Sequence, residues 1–271
     1  MDAKITDPGN GDVGQILTKT EEGVEWATPE EVEQCECEEL TEPELDEIMK
    51  GVVEEAIRGF EFIDLGLPSG NLWATCNLGA ETEVDSGLYF QWGDTQGYKE
   101  AAKINQSNPP KDSHCFDKAH YIFTDSESWE FTKYNDIDRL KILEPEDDAA
   151  SVMLGSEYKI PSIDDFYELI YNTTPGDGAN ENGWIENYKG SGVNGILLKS
   201  KMNNNTIFLI AAGGAGSNGI FGIGKRVELQ SNKKQDDPDE YDYIFFTENF
   251  WEDVSNQRYN GEPIRAVKPK K

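Results

Sequence analysis

The sequence predicts an α+β fold in which short strands outnumber helices. Strand-like apolar runs fall at residues 61–65, 72–77, 88–92, 195–200, 206–211, 243–247 and 263–267, with long polar stretches between them. A single strongly amphipathic helix is written into "YKIPSIDDFYELIYNT". The 26 glycines among 271 residues favour turns and strands over a helix bundle. Few helices with many strands is the α+β pattern, and the length allows one large domain or two small ones. No tandem repeat of fixed period is present.

Residues 1–39 differ in texture from the rest. "TDPGNGDVG" is rich in turn formers, and "QILTKTEEGVEWATPEE" reads as a small hairpin. Ile16 and Leu17 lie on one arm, a turn at residues 21–23 follows, and Val24 and Trp26 lie on the other. A free-standing hairpin of this size is marginal in water, so docking on a partner is expected. The acid-rich "EEVEQCECEE" links it onward.

Residues 40–59 carry a helix. Thr41 and Glu44 form a capping-box pattern, with Pro43 in the first turn. Leu45, Met49, Val52 and Ala56 recur at spacings of four, three and four, which makes a two-heptad apolar seam. Ile48, Val53 and Ile57 widen the stripe, and Gly59 ends the helix. So short a helix is unstable alone. It packs either on its own domain or, as a short coiled coil, on copies of itself.

From residue 60 the texture becomes β and loop. "EFIDLGLPSGNLWATCNLGA" places two strand-like halves around a Pro68-Ser69-Gly70 turn, a β-hairpin in which Trp73 and Cys76 are core residues. "EPEDDAASVML" reads as a short helix with its acids in the first turn. In the longer helix Ser162 is the N-cap, with Asp165 three residues on. Ile163, Phe166, Leu169 and Ile170 form its buried stripe.

A net charge of −29 sets the chain against nucleic acid, which it would repel, and against an anionic membrane surface. Solubility is the plainer reading of this charge, and binding of cationic partners or divalent metals the sharper one. The four cysteines, Cys35, Cys37, Cys76 and Cys115, are too few for a disulfide framework. The opening "MDAKITDPGNGDVG" lacks a basic region followed by an apolar stretch, and no apolar run reaches the length of a membrane span. The expectation is a soluble product made in a cytoplasm, with Cys35 and Cys37 reduced there. An interchain disulfide or metal clip is the alternative where chains meet.

Five blocks carry a family resemblance: "DLGLPSGNLWATCNLGA" (64–80), "SGLYFQWGD" (86–94), "KIPSIDDFYELI" (159–170), "NTIFLIAAGG" (205–214) and "PIRAVKP" (263–269). In order and spacing they resemble the major paralogous domain of Bacteroidetes and their phages. That resemblance implies a C-type-lectin-like fold akin to phage receptor-binding domains. The segment "DVGQILTKTEEGVEWATPEE" separately resembles one common in phage fibre proteins, between a virion-attachment region and a distal module. Together they imply an attachment segment at 1–39, a helical trimeric neck at 40–59 and a lectin-like head at 60–271. The chain departs from the family in "YDYIFFTENFWED", which lacks an aromatic-Ser-Ser block, in the long charged "SNKKQDDPDEYD", and in "IRAV" where an Arg-Pro pair is usual.

The function implied is that of a virion fibre protein, on head or tail. It would be a homotrimer, held by its N-terminus to a capsid or tail protein, and would bind a host surface glycan or protein through loops. Candidate contact residues are Asn218, Phe221 and Lys225 in the glycine-rich loop, with Tyr241, Tyr243, Phe250, Trp251 and Tyr259 as exposed aromatics on which sugars stack. Core packing is the alternative for each aromatic. Asp236, Asp237 and Asp239 are candidate calcium ligands by residue type, without EF-hand spacing; solvated loops are the alternative.

Two other classes stay open: a bacterial surface protein with the same domain, and a metal-dependent glycan hydrolase. "HCFDKAH" sets His114, Cys115, Asp117 and His120 in one stretch that could supply a zinc site, with an ordinary polar loop as the alternative. "GGAGSNGIFGIG" lacks a following Lys-Ser/Thr, no Gly-x-Ser-x-Gly elbow or His-Glu-x-x-His is present, and no catalytic constellation is expected.

Overall fold

A computed structural model of the chain describes residues 16–20, 23–27 and 61–270. The chain divides into two compact units, Met1–Arg58 and Gly59–Lys271. In the first, strands β1 (Ile16–Thr20) and β2 (Gly23–Ala27) pair antiparallel, with Thr20 opposite Gly23, as the hairpin reading expects. The neck positions Leu45, Met49, Val52 and Ala56, and the thiols Cys35 and Cys37, lie outside the described residues.

The second unit is mainly β with few helices. Its elements run β3 (Phe62–Asp64), β4 (Asn71–Ala74), β5 (Phe90–Gln91), β6 (Glu100–Ala101), β7 (Ser113–His114), α1 (Ala149–Leu154), α2 (Ile163–Tyr171), β8 (Thr173–Pro175), β9 (Trp184–Ile185), β10 (Gly195–Ser200) and β11 (Thr206–Ile210). Then follow β12 (Gly214–Gly216), β13 (Gly219–Phe221), β14 (Val227–Lys234), β15 (Glu240–Phe246), β16 (Trp251–Gln257), β17 (Gly261–Glu262) and β18 (Val267–Pro269).

The hairpin predicted at Pro68-Ser69-Gly70 is present. β3 pairs antiparallel with β4, the Gly70 amide donates to the Leu67 carbonyl at 2.9 Å, and β18 pairs along the other side of β4. Trp73 and Cys76 are core, as expected. The Ser69 amide and hydroxyl donate to the Glu168 carboxylate at 2.7 and 2.6 Å, which fastens this turn to α2. The capping box of α2 is complete. The Asp165 amide donates to the Ser162 hydroxyl at 3.1 Å, and the Ser162 amide donates to the Asp165 carboxylate at 2.8 Å.

The main core joins Phe166 and Leu169 of α2 to Trp73, Ile196, Leu198, Ile207, Leu209, Val227, Leu229, Ile244 and Phe246. β10 and β11 read as unbroken apolar runs because both their faces are covered. Leu197, Phe208 and Ile210 point away from the main core into a second cluster, where the Tyr188 and Phe208 rings stack at 3.9 Å.

Several expectations require correction. The acids of "EPEDDAASVML" do not occupy a first α-turn: residues 145–147 form a 3-10 turn, and Asp148 is the N-cap of α1 through the Ser151 amide. The run 263–267 is buried but is not one strand; it links β17 to β18. The charged stretch 231–242 is largely strand, taken up by the ends of β14 and β15. Together with β16 these make a three-stranded antiparallel sheet.

The segment between β7 and α1 is nearly without regular structure. Its backbone is satisfied by side chains. Asp125 Oδ1 accepts from the Ser128 amide and hydroxyl at 2.7 and 2.8 Å, and Asp138 accepts from the amides of Tyr134, Asn135 and Leu140. Arg258, fully buried, closes this segment onto the sheet.

Candidate ligand-binding surface

The glycine-rich stretch 213–224 forms the hairpin β12–β13 and then turns into β14. It runs into a strand and not into a helix, so it presents no helix N-terminus to a phosphate. Gly214 lies beneath two side chains: a Cβ there would meet Glu228 Oε2 at 2.6 Å and Phe221 Cζ at 3.0 Å. Phe221 therefore lies across the hairpin with more than a third of its surface exposed, followed by solvent-facing Ile223 and Lys225.

Arg226 comes next. Its guanidinium lies 5.7 Å from the Phe245 ring centroid and 3.6 Å from Glu228 Oε1. Glu228 and Phe245 are register partners across β14 and β15 and share a sheet face. Phe250, 44% exposed, has its ring 5.8 Å from Phe245. Arg226, Phe245 and Phe250 thus form an aromatic and cationic strip on one face of this sheet, and Phe221, on the separate β12–β13 hairpin, extends it beside Glu228. Tyr243 lies half-buried along it.

The other candidates fall elsewhere. Asn218 is exposed at the tip of the β12–β13 hairpin, and Tyr259 is half-buried with its carbonyl accepting from Gln91 Nε2 at 2.9 Å. Tyr241, expected at the surface, is fully buried: it stacks on Trp92 at 6.1 Å and donates its hydroxyl to Glu262. It is removed from the contact set: it shares the face of β15 that carries Tyr243 and Phe245, but at its end of the strand that face is covered by Trp92 and Glu262. Trp251 points to the opposite face from Phe250. It packs on the main core and forms a second aromatic group with Tyr167 and Tyr171, with ring separations of 6.1–6.2 Å.

Phe245, Arg226, Tyr167 and Tyr171 were missed in sequence. For the two tyrosines a signal existed. They sit four apart in "DDFYELIY", on the side of α2 that its apolar stripe leaves uncovered.

The calcium candidates are not assembled. Asp236 pairs with Lys141 at 2.5 Å, Asp239 pairs with Lys118 at 3.1 Å, and Asp237 accepts from the Asp239 amide at 2.9 Å. Each carboxylate faces a different partner. Among the described residues the side chains that do gather as a ligand group are Cys115, Asp117 and His120. Burial, with the Asp117 carboxylate beside it, pushes the Cys115 thiol up to about 11, and His120 Nδ1 is bonded to Asp117, not to sulfur. That arrangement does not make a thiolate nucleophile at neutral pH.

Buried carboxylates lie under the strip. Glu228 is pushed up to about 7, by burial first, with Arg226 pulling the other way. Glu262, fully buried, is also raised, by burial and by the charge of Glu228, against hydrogen bonds from Tyr241 and Asn256. The folded state therefore holds the Glu228 proton more tightly than the unfolded chain, whose carboxyl is near 4.5. Its contribution is fully present below about pH 4.5 and is lost as pH rises through about 7. The difference is about 3 kcal/mol. Glu228→Gln is expected to raise stability by that order at pH 8 and by little at pH 4.5, read as urea midpoints. Equal shifts at the two pH values would contradict this burial effect.

Compared with family models, curated proteins and solved structures, the chain matches none. No helix among the described residues is long and apolar enough to cross a membrane.

Proposed function

We propose that this chain is a bacteriophage virion fibre protein, on head or tail, whose residues 60–271 form a C-type-lectin-like head that binds a host surface glycan or protein. The 40–59 helix would join three chains, and residues 1–39 would dock on a capsid or tail protein. The observation that carries the reading is the strip of Phe221, Arg226, Phe245 and Phe250, held outward on a rigid sheet and hairpin. Aromatic faces beside a fixed cation suit sugar rings and acidic surface groups. The five-block family resemblance and the separate N-terminal unit support the same arrangement. A single head would bind modestly, and three on one stalk would gain through effective concentration.

Light scattering on the full chain is expected to give three times the 30.4 kDa chain mass. On a glycan array and on host cells, Phe221→Ala combined with Phe250→Ala should weaken binding about tenfold or more with little loss of stability, because both rings face solvent. A monomer that turns over glycans would instead favour the hydrolase. A bacterial surface location of the native protein would favour the surface-protein reading.

A further inference from the structure

The chain has two histidines: His114 ends β7, and His120 lies in the loop that leaves it. Asp117 organises it. Its Oδ2 accepts from Cys115 Sγ at 3.1 Å, and its Oδ1 accepts from the His120 amide at 3.0 Å and lies 2.7 Å from His120 Nδ1. The 3-10 turn Lys118–His120, capped by Asp117, is what folds His120 back toward Cys115. One ligand atom from each of Cys115, Asp117 and His120 lies within 4.8 Å of the others.

The neighbouring side chains add a second observation. The His114 ring stacks on Tyr98 at 4.3 Å and meets His120 edge-on at 6.3 Å, and its Nε2 is buried without a protein partner. Asp94, only 5% exposed, also has a buried oxygen, Oδ2, without a protein partner, and its charge acts on His114. Two buried polar atoms next to a thiol–carboxylate–imidazole group are what a wet or ion-holding site leaves behind.

We propose that Cys115 Sγ, an Asp117 oxygen and His120 Nδ1 bind one divalent cation of the zinc class. Sulfur, nitrogen and oxygen together suit a borderline cation. Calcium and magnesium take oxygen ligands alone. Zinc bonds of about 2.0–2.3 Å at tetrahedral angles place neighbouring ligand atoms roughly 3–4 Å apart, so the three side chains need small shifts only. Binding breaks the Cys115 S–H bond, with the proton passing to solvent, and forms the sulfur–metal bond; the charge of the metal offsets that of the thiolate. His120 is exposed, which leaves the fourth position open to water. The cation would pin the irregular segment after β7, which Gln91 ties to Tyr259 by way of the Asp117 carbonyl.

Cobalt(II) titration of the full chain, with Cys35→Ser and Cys37→Ser so that their thiols cannot contribute, tests this. One equivalent should produce a near-ultraviolet sulfur-to-cobalt band and the visible bands of a tetrahedral ion, and zinc should bleach both. Cys115→Ser should abolish the near-ultraviolet band, and both Cys115→Ser and His120→Gln should weaken zinc binding at least about tenfold. Circular dichroism and melting of the metal-free variants verify that the fold is kept. Absence of the tetrahedral spectrum at millimolar cobalt, a sulfur band that survives Cys115→Ser, or a response to calcium alone would overturn the site.

Discussion

Arg258→Met is expected to destabilise the Gly59–Lys271 unit by about 3–5 kcal/mol, because it strips a charged donor from several buried neutral acceptors, each orphaned group costing about 1–3 kcal/mol. Arg258 is fully buried. Its guanidinium lies 4.5 Å from the Phe131 ring centroid and 5.1–5.9 Å from those of Trp92, Tyr121 and Tyr134. Nε donates to the Tyr121 hydroxyl at 3.0 Å, Nη1 to the carbonyls of Tyr134 and Pro238 at 3.1 Å each, and Nη2 to the Lys133 carbonyl at 3.0 Å. Methionine fills much of the volume but leaves a phenol and three carbonyls without a donor in the dry interior, and each is costly there. The segment between β7 and α1 has little other regular structure, so it should loosen first. In a unit of this size a melting point lower by roughly 10 °C is expected, with early protease cleavage between residues 120 and 145. Arg258→Lys, which restores the charge but not the fork, should recover only part of the loss. A methionine variant that melts within about 2 °C of the parent would show that the ring cage, and not the donor fork, holds the segment.

Gly213→Ala should lose about 3 kcal/mol, whereas Gly224→Ala, in the same loop, should lose only about 1 kcal/mol. Both glycines have positive φ, +65° and +71°. They differ in what surrounds them. A Cβ at Gly213 would lie 1.9 Å from the Phe221 carbonyl oxygen and 2.8–2.9 Å from the backbone of the next two residues, none of which can swing aside. At Gly224 nothing lies within 4 Å, so only the backbone strain remains. Because Phe221 belongs to the proposed binding strip, Gly213→Ala should also weaken ligand binding, and Gly224→Ala should not. Equal urea midpoints for the two variants would remove the close approach as the reason for glycine at 213. Close backbone approach thus requires glycine at 213, whereas at 224 only the positive φ favours it.

The Pro68-Ser69-Gly70 hairpin, the capping box of α2 and the exact span of β10 were legible in the sequence. Each depends on residues within a few positions of one another: a turn former between apolar halves, an Asp three places after a Ser, an apolar run cut off by polar residues. What failed depends on distant partners. Residues 231–242 look like a charged loop because Lys233, Lys234, Asp236 and Asp242 are polar. Yet 234 and 242 are strand positions, paired or buried by the neighbouring strands. Tyr241 and Phe250 carry the same aromatic signal in sequence, and one is sealed under Trp92 while the other faces solvent. Asp236, Asp237 and Asp239 cluster in sequence, but two of them are turned toward separate lysines, whereas Cys115, Asp117 and His120 are gathered by a single 3-10 turn.

Composition, charge and local pattern were enough to define the α+β class and the principal helix. Which face each aromatic took, which loops became strands, and which acids met a thiol and an imidazole were decided by tertiary packing. The physical reason is range: propensity and capping act over a few residues, whereas burial and register depend on strands brought together from more than a hundred residues away.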